Sequence, residues 1–282
     1  LAIRARPWRL EMASDGGWNA VSAEEYAARV EPFTALFGQQ LLKHAALTVD
    51  DRLLDVAAGP GAVALPAAKV CREVCAVDCS SSMIRLLEQR CQDRGLSNVT
   101  TSIMDGADFN GAKDFDITIS NFGVIFFTDM VAGLRAMLRA LRPGGRALIS
   151  AWGGPSETAA FQVIPAAARE VLGAEHVSAG ARKQRPDASK AMLQEKFSEA
   201  GFEEVEVVGP HTEDLVVDSP EAFWDRFALA APGTQKLLAP LSPDEIQALR
   251  AKVLERLRTD FGSGPVRLPA SAYFASARRP EA

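Results

Sequence analysis

The sequence predicts an α/β fold, with helices on both faces of a doubly wound, mostly parallel, seven-stranded sheet. Two observations carry this prediction. Apolar runs of strand length alternate with helix-length segments from Asp51 to Trp152. The first of these runs, residues 53–56, leads into the glycine-rich turn Gly59-Pro60-Gly61, which is typical of the first strand–helix junction in such sheets. With 282 residues, the chain is long enough to bury a large core.

Five strands are predicted in this central region, each an apolar run that ends at a polar or glycine-rich turn. They cover residues 52–57, 73–78, 99–104, 115–121 and 146–152, and the intervening helices cover residues 62–71, 81–94 and 130–141. The sequence Arg142-Pro143-Gly144-Gly145 is predicted to be a turn, because proline stops a helix and glycine adopts turn backbone readily.

Further helices and strands are predicted on both sides of the central region. Ser22 followed by Glu25 has the spacing of a capping box and begins a helix that reaches Phe37. A second short helix is predicted at residues 39–47. Later helices cover residues 157–172, 188–200, 220–229 and 243–261, and later strands cover residues 202–208, 215–217 and 271–278.

The turn after the first strand indicates a site for a nucleoside cofactor. Its glycines allow the backbone to approach a ligand closely, and free N–H groups at the following helix favour an anionic group. Asp55, four residues before Gly59, is poorly placed beside a pyrophosphate but suits a ligand that carries an ammonium group, as S-adenosylmethionine does. The glycines and Asp78 also satisfy the dinucleotide-binding pattern, so a nicotinamide cofactor stays open at this point.

The motif Asp55-x-Ala57-x-Gly59-x-Gly61 resembles the first motif of the class I S-adenosylmethionine-dependent methyltransferases. The resemblance covers roughly residues 15–282 and is strongest from Asp51 to Trp152. It implies the Rossmann-like sheet of that family, with an antiparallel hairpin near the C-terminus, and S-adenosylmethionine as cofactor.

The resemblance also implies which residues bind that cofactor. Asp55 would face its ammonium group, Asp78 the ribose hydroxyls and Asp105 the adenine amine, while Met83 would rest on the adenine ring. Asn121 and Phe122, at the end of the fourth strand, would lie beside the sulfonium. The full set of expected cofactor-binding residues is Asp55, Ala57, Gly59, Gly61, Asp78, Cys79, Met83, Asp105, Gly106, Ala107, Asn121 and Phe122.

The resemblance divides the chain into functional segments. Residues 1–14 are expected to be a tag, an extension or a disordered segment, and residues 15–282 a single methyltransferase domain. Within that domain we expect an N-terminal helical lid at 15–50, a cofactor-binding core at 51–152, a helical insertion over the site at 153–200, and C-terminal strands and helices at 201–282.

The expected acceptor is a small organic molecule, because the lid and the insertion would enclose it. Candidate residues for its pocket are Trp18, Tyr26, Phe126, Trp152 and His211. No catalytic residue is assigned, since an enzyme can promote methyl transfer by placing the nucleophile and excluding water. A general base such as His211 helps if the acceptor is a hydroxyl, and whether O, N, S or C is methylated stays open. The segment after the fourth strand differs from that of the quinone C-methyltransferases, which argues against a quinone precursor.

Two other function classes remain as alternatives. One is an NAD(P)-dependent oxidoreductase, which the glycine pattern allows. The other is a non-catalytic methyltransferase-like domain that acts in protein interactions. Asp55 and Asp105 argue against the first, and the intact set of acidic residues argues against the second.

Charge and cysteine content exclude several partners. The chain has 31 Lys and Arg against 36 Asp and Glu, a net charge of −5, and no basic stripe, so we expect no nucleic-acid partner. No apolar run has the length of a membrane span. The four cysteines, Cys71, Cys75, Cys79 and Cys91, lack a metal-binding spacing and are expected to be small buried residues in a reducing compartment, so that no metal is predicted. We expect a cytoplasmic protein, although an upstream targeting segment stays open because Arg4, Arg6 and Arg9 precede Met12.

Overall fold

The structure, a computed structural model, describes residues 22–111, 114–173 and 188–281 and contains one seven-stranded sheet. The strands lie in the order β3-β2-β1-β4-β5-β7-β6. Their bounds are β1 Arg52–Val56, β2 Glu73–Asp78, β3 Val99–Ile103, β4 Phe115–Asn121, β5 Leu141–Trp152, β6 Glu203–Val217 and β7 Val266–Arg278. The predicted α/β fold with a mostly parallel sheet is therefore confirmed.

The sheet changes direction at one side only. Strands β1 to β5 pair in parallel, whereas β7 runs antiparallel to both β5 and β6. Strands β2 and β3 lie on one side of β1, whereas β4 and β5 lie on the other side, so the strand order reverses between β1 and β4. Ligands of open α/β sheets bind at such a switch point, beyond the carboxyl ends of the strands. Asp55, Asp78 and Asn121 lie at this end of β1, β2 and β4.

The described helices are α1 Ala23–Arg29, α2 Glu31–Ala45, α3 Ala64–Ala67, α4 Ser81–Asp93, α5 Met130–Ala140, α6 Val163–Leu172, α7 Lys190–Ala200, α8 Pro220–Ala230, α9 Pro232–Leu238 and α10 Pro243–Phe261. Short 3₁₀ turns cover Gly106–Asp108, Val124–Phe126, Pro155–Glu157 and Ala159–Phe161. Side chains of the central strands, such as Leu53, Val74 and Ile119, are fully buried because helices cover both faces of the sheet.

The N-terminal helices differ from the prediction. The break falls at Val30, before Pro32, and not near Gly38 as the predicted helices required. Proline fits the first turn of a helix, where its missing N–H is not needed, so Pro32 marks a helix start. Gly38 lies inside α2, where a Cβ atom would approach Asn121 Nδ2 to 3.3 Å, so glycine here permits close packing on the sheet.

Prolines also explain two shortened helices. The helix predicted at residues 62–71 is reduced to α3, because Pro66 has no N–H donor and fits only its first turns. The helix predicted at residues 157–172 begins as 3₁₀ turns and becomes α-helical only at α6, whose first turn contains Pro165.

Three strand predictions are wrong in detail. The strands predicted at 202–208 and 215–217 form one long edge strand, β6, whose register shifts between Val208 and His211. The predicted turn at residues 142–145 belongs to β5, since Gly144 donates a hydrogen bond to the Arg279 carbonyl at 3.0 Å. β7 begins at Val266 rather than at residue 271. In addition, α9 was not predicted.

Candidate functional site

A cavity lies at the carboxyl ends of β1 and β4, under the N-terminal helices. Tyr26 of α1 and Thr34 of α2 form its roof, and the glycine-rich turn forms its floor. The lining residues are Tyr26, Thr34, Asp55, Ala57, Ala58, Gly59, Pro60, Ala62, Val63 and Asn121. Four expected cofactor-binding residues, Asp55, Ala57, Gly59 and Asn121, therefore meet at one cavity, together with Tyr26.

Asp55 presents an unpaired carboxylate oxygen to this cavity. Its side chain is 1% exposed, and Oδ2 has no hydrogen-bond partner among the residues that the structure describes. The pKa of Asp55 is raised to about 8, mainly by burial; the Ala64 backbone N–H opposes this rise, and the nearby Asp78 adds to it. A buried oxygen without a donor is costly, so the site suits a ligand that brings a positively charged donor. The ammonium group of S-adenosylmethionine meets that requirement.

The two glycines of the turn have different roles. Gly59 has a φ of +54°, and a Cβ atom there would meet nothing within 4 Å. Gly61 has a φ of +102°, and a Cβ atom there would come within 2.6 Å of Leu87 Cδ1 and 2.8 Å of Leu65 Cγ. Gly59 thus leaves open space in the cavity wall, whereas Gly61 allows the turn to pack against the helices below it.

Asp78 organises the glycine-rich turn from the end of β2. Its carboxylate accepts hydrogen bonds from the backbone N–H groups of Gly59 and Ser80, both at 2.8 Å. Burial raises the pKa of Asp78, and these N–H groups oppose the shift. Each oxygen accepts one of these protein donors and so keeps lone-pair capacity for a further donor, as the predicted ribose contact requires.

The other expected cofactor residues on this side follow β2 and β3 along the chain. Cys79 is half-buried, and Met83 does not line the cavity itself but is buried against Tyr26 of its roof. Asp105 accepts a hydrogen bond from the Ala107 N–H at 2.9 Å and so caps a 3₁₀ turn. Gly106 lies close to β1, since a Cβ atom there would approach Val56 Cγ1 to 2.6 Å. Their contacts with a cofactor stay predictions.

Asn121 connects the sheet to the roof. Its Nδ2 donates to the Thr34 carbonyl at 3.2 Å, and its Oδ1 accepts from Ser150 Oγ at 2.7 Å. Ser150 Oγ also accepts from the Phe122 N–H at 2.9 Å, which supports Phe122 at a positive φ of 61°. A non-glycine residue in this region is uncommon and costs conformational energy, so the hydrogen bonds to Ser150 hold a strained turn beside the cavity.

The expected acceptor residues are not all brought to the cavity. Tyr26 lines it, and burial raises the pKa of its hydroxyl to about 12. Trp152 is buried between Phe122, with ring centroids 3.7 Å apart, and Phe33, at 6.0 Å. Phe126 is half-buried at the edge of the core. Trp18 lies outside the described residues.

The ring of Phe37 separates His211 from Trp152. His211 forms a 2.8 Å contact with Glu213, and its ring packs 6.0 Å from that of Phe37, which in turn contacts Trp152. In the sheet, His211 and Trp152 are both paired with Ala272 of β7. His211 is therefore on the expected acceptor side but does not line the cavity.

An ion pair between α4 and α2 was missed from the sequence. Arg90 Nη1 donates to both carboxylate oxygens of Glu31, at 2.8 and 2.7 Å, and to the Pro60 carbonyl at 2.8 Å. It therefore ties the roof to the glycine-rich turn. The partners are 59 residues apart in the sequence. The one local signal for this pair is Glu31, a charged residue at the start of the apolar helix α2.

Residues 22–111, 114–173 and 188–281 contain neither a metal-binding cluster nor a membrane-spanning helix. No three His, Cys, Asp or Glu side chains come together there in a way that could hold a metal ion. No helix in the same ranges combines the length and apolar character needed to cross a bilayer. The four cysteines are free, with Cys71 and Cys91 buried and the other two half-buried.

Comparisons with known proteins agree with this geometry. A family model described as a methyltransferase domain matches residues 53–145. The nocamycin O-methyltransferase of Saccharothrix syringae is 29% identical over 235 residues, which cover 76% of this chain and 80% of that protein. A putative methyltransferase from Bacillus halodurans has the same fold, with a TM-score of 0.59 and 20% identity over 86% of this chain and 98% of that structure.

An uncharacterized protein of Mycobacterium tuberculosis is 32% identical over 132 residues, which cover 45% of this chain and 47% of that protein. The chain thus spans about half the length of the mycobacterial relatives that it matches. The matched region of the family model, residues 53–145, contains the strands that carry Asp55, Asp78 and Asn121.

Proposed function

We propose that the chain is a class I S-adenosylmethionine-dependent methyltransferase that transfers a methyl group from S-adenosylmethionine to a small organic acceptor, as the match to a methyltransferase domain and the similarity to the nocamycin O-methyltransferase support. The observation that carries the proposal is the buried, unpaired Oδ2 of Asp55 in a cavity that also contains the glycine-rich turn. A carboxylate in this position favours an ammonium group and disfavours the pyrophosphate of a nicotinamide cofactor.

Several residues would hold the methyl donor. Asp55 would accept from its ammonium group, Asp78 from its ribose hydroxyls, and Asp105 from its adenine amine. When bound, the donor supplies a methyl group already activated by a positive sulfonium. The role of the protein is then to hold the acceptor atom about 3–3.5 Å from the methyl carbon and to keep water away. The roof helices α1 and α2 support this role by covering the cavity.

We propose that the acceptor is a small molecule that reaches the site from the side of Trp152 and His211. The name of the nocamycin O-methyltransferase supports a small-molecule acceptor and an oxygen nucleophile. For a hydroxyl acceptor, His211 offers a ring nitrogen as general base, and its ring is separated from that of Trp152 only by the ring of Phe37.

We also propose a reducing compartment such as the cytoplasm, and no nucleic-acid partner. Four free cysteines support the first statement, because paired cysteines are the rule in oxidising compartments. The net charge of −5 supports the second, since nucleic-acid binding depends on basic surfaces.

The proposal is tested by incubating the protein with S-adenosylmethionine labelled at its methyl group and a fractionated metabolite extract. Label in a small-molecule product, absent from a reaction with Asp55→Asn, is the expected result. Wild-type protein that binds S-adenosylhomocysteine but labels no fraction would favour the non-catalytic alternative. Binding of NAD instead of S-adenosylhomocysteine would favour the oxidoreductase.

A further inference from the structure

A half-buried arginine stands without a charged partner on the expected acceptor side. Arg226 lies on α8, the helix that packs against α1 and β6. Its guanidinium carbon lies 5.9 Å from the centre of the Phe33 ring. No carboxylate forms an ion pair with it, and no acceptor takes a hydrogen bond from it, in the three ranges that the structure describes.

Neighbouring residues on the same helix supply no counter-charge. The positions three and four residues away on either side are Ala222, Phe223, Leu229 and Ala230. Glu221, five residues before Arg226, pairs with Arg258 of α10, and Asp225 is exposed. Burial alone lowers the pKa of Arg226 to about 10, with no nearby acid acting against it.

This arrangement is unusual because a guanidinium has five N–H donors and is costly to remove from water without an acceptor. The ring of Phe33 offsets part of that cost through a cation–π contact but accepts no strong hydrogen bond. Two other half-buried arginines, Arg52 and Arg90, are paired with Glu73 and Glu31, respectively. Arg226 therefore has donor capacity that an external anion can use.

Aromatic rings connect Arg226 to the candidate cofactor site. Phe33 lies parallel to Trp152 with centroids 6.0 Å apart, and Trp152 stacks on Phe122 at 3.7 Å. Phe122 adjoins Asn121, which lines the cavity. These three rings are buried against one another and form one packed row between the guanidinium and the cavity lining. An acceptor that reaches from the cavity to Arg226 would have its apolar body beside this row.

Resting on the proposed function, we infer that Arg226 is a specificity-determining residue that binds an oxyanion, a carboxylate or a phosphate, at the end of the acceptor remote from the methylated atom. Planar guanidinium groups bind carboxylates and phosphates through two parallel hydrogen bonds. The inference narrows the acceptor class to small acids with an apolar or aromatic body.

The test uses two probes that differ only in charge, 2-naphthoate and 2-naphthamide. Their binding is measured by calorimetry on full-length protein saturated with S-adenosylhomocysteine. We expect wild type to bind naphthoate at least about tenfold more tightly than the amide, as a charged hydrogen bond implies. Arg226→Gln should remove this preference and leave amide binding within about twofold, while Arg226→Lys should keep part of it.

The matched control is Arg267→Gln, which removes the same charge from an exposed arginine on β7 that pairs with Asp214. It should keep the full preference for naphthoate. Equal binding of the two probes by wild type, binding of neither, or a preference that survives in Arg226→Gln would overturn the inference. Binding of S-adenosylhomocysteine is measured first in every variant. A protein that does not bind S-adenosylhomocysteine would contradict the proposed function, whereas a protein that binds it but shows no preference for naphthoate would contradict only the inference about Arg226.

Discussion

The Asp78 carboxylate accepts a hydrogen bond from the Gly59 N–H at 2.8 Å. The end of β2 therefore fixes the glycine-rich turn that follows β1. The residue expected to bind ribose therefore also shapes the wall of the cavity. We predict that Asp78→Ala lowers the affinity for S-adenosylhomocysteine at least about tenfold, since it removes a charged acceptor from both ligand and turn.

The same variant should also lower the free energy of unfolding by about 1–3 kcal/mol, because the N–H groups of the half-buried Gly59 and the buried Ser80 lose their acceptor. Calorimetric titration and chemical denaturation measure the two effects. Asp260→Asn, on the exposed face of α10, is the matched control and should change neither. An Asp78→Ala protein with wild-type affinity would remove Asp78 from the cofactor site.

The two glycines of the turn should respond differently to alanine. Gly59→Ala places a methyl group in open space at a positive φ and should cost about 1–2 kcal/mol of stability. Gly61→Ala adds a clash with Leu65 and Leu87 to a similar strain, and overpacking costs about 1–3 kcal/mol more. Gly59→Ala should mainly weaken S-adenosylhomocysteine binding, whereas Gly61→Ala should mainly lower the melting temperature. A Gly59→Ala protein that is less stable than the Gly61→Ala protein would contradict the packing described for this turn.

Binding of the methyl donor should release a proton from Asp55. In the ligand-free protein its pKa is about 8, above the ordinary value of 3.8, so the folded state binds more protons than the unfolded state between these values. Asp55 therefore reduces stability as the pH rises from about 4 to about 8. A bound ammonium group favours the carboxylate, so affinity should rise with pH up to about 8 and level off above it.

Calorimetry at pH 7 in phosphate and in Tris, which differ in ionisation enthalpy, measures the proton release directly. Asp55→Asn should bind S-adenosylhomocysteine more weakly and release fewer protons. If wild type and Asp55→Asn exchanged the same number of protons, another group would be responsible and the carboxylate would not face the ammonium.

The ion pair between Arg90 and Glu31 should hold the roof on the glycine-rich turn. Their side chains are 22% and 11% exposed, so Arg90→Met leaves a largely buried carboxylate unpaired and should cost about 3 kcal/mol of stability. The double variant Glu31→Gln/Arg90→Met should recover most of that loss. A double variant as unstable as the sum of both single variants would show that the two residues do not interact.

Much of the site was predictable because its signals are local. Asp55, the glycines and Asp78 lie at strand ends that short apolar runs define, and parallel strands bring these ends to one edge of the sheet. Contacts over long sequence separations were not predictable. Asn121 donates to the Thr34 carbonyl 87 residues away, and nothing local indicates that pairing.

The errors in the fold have similar causes. Separate strands are predicted at residues 202–208 and 215–217, yet β6 continues from one to the other through Pro210, because an edge strand tolerates proline where no ladder hydrogen bond is needed. Trp152 is predicted as a pocket residue only because its aromatic side chain suits an apolar pocket. Its stacking on Phe122 depends on the positive φ of Phe122, which no local pattern indicated.

The most direct test of the proposed function is a parallel calorimetric titration of wild type and Asp55→Asn with S-adenosylhomocysteine and with NAD. We predict that wild type binds S-adenosylhomocysteine and not NAD, and that Asp55→Asn lowers the affinity at least about tenfold through loss of a charged hydrogen bond. Binding of NAD without a response to S-adenosylhomocysteine, or equal affinities of the two proteins for S-adenosylhomocysteine, would contradict the assignment of this cavity to a methyl donor.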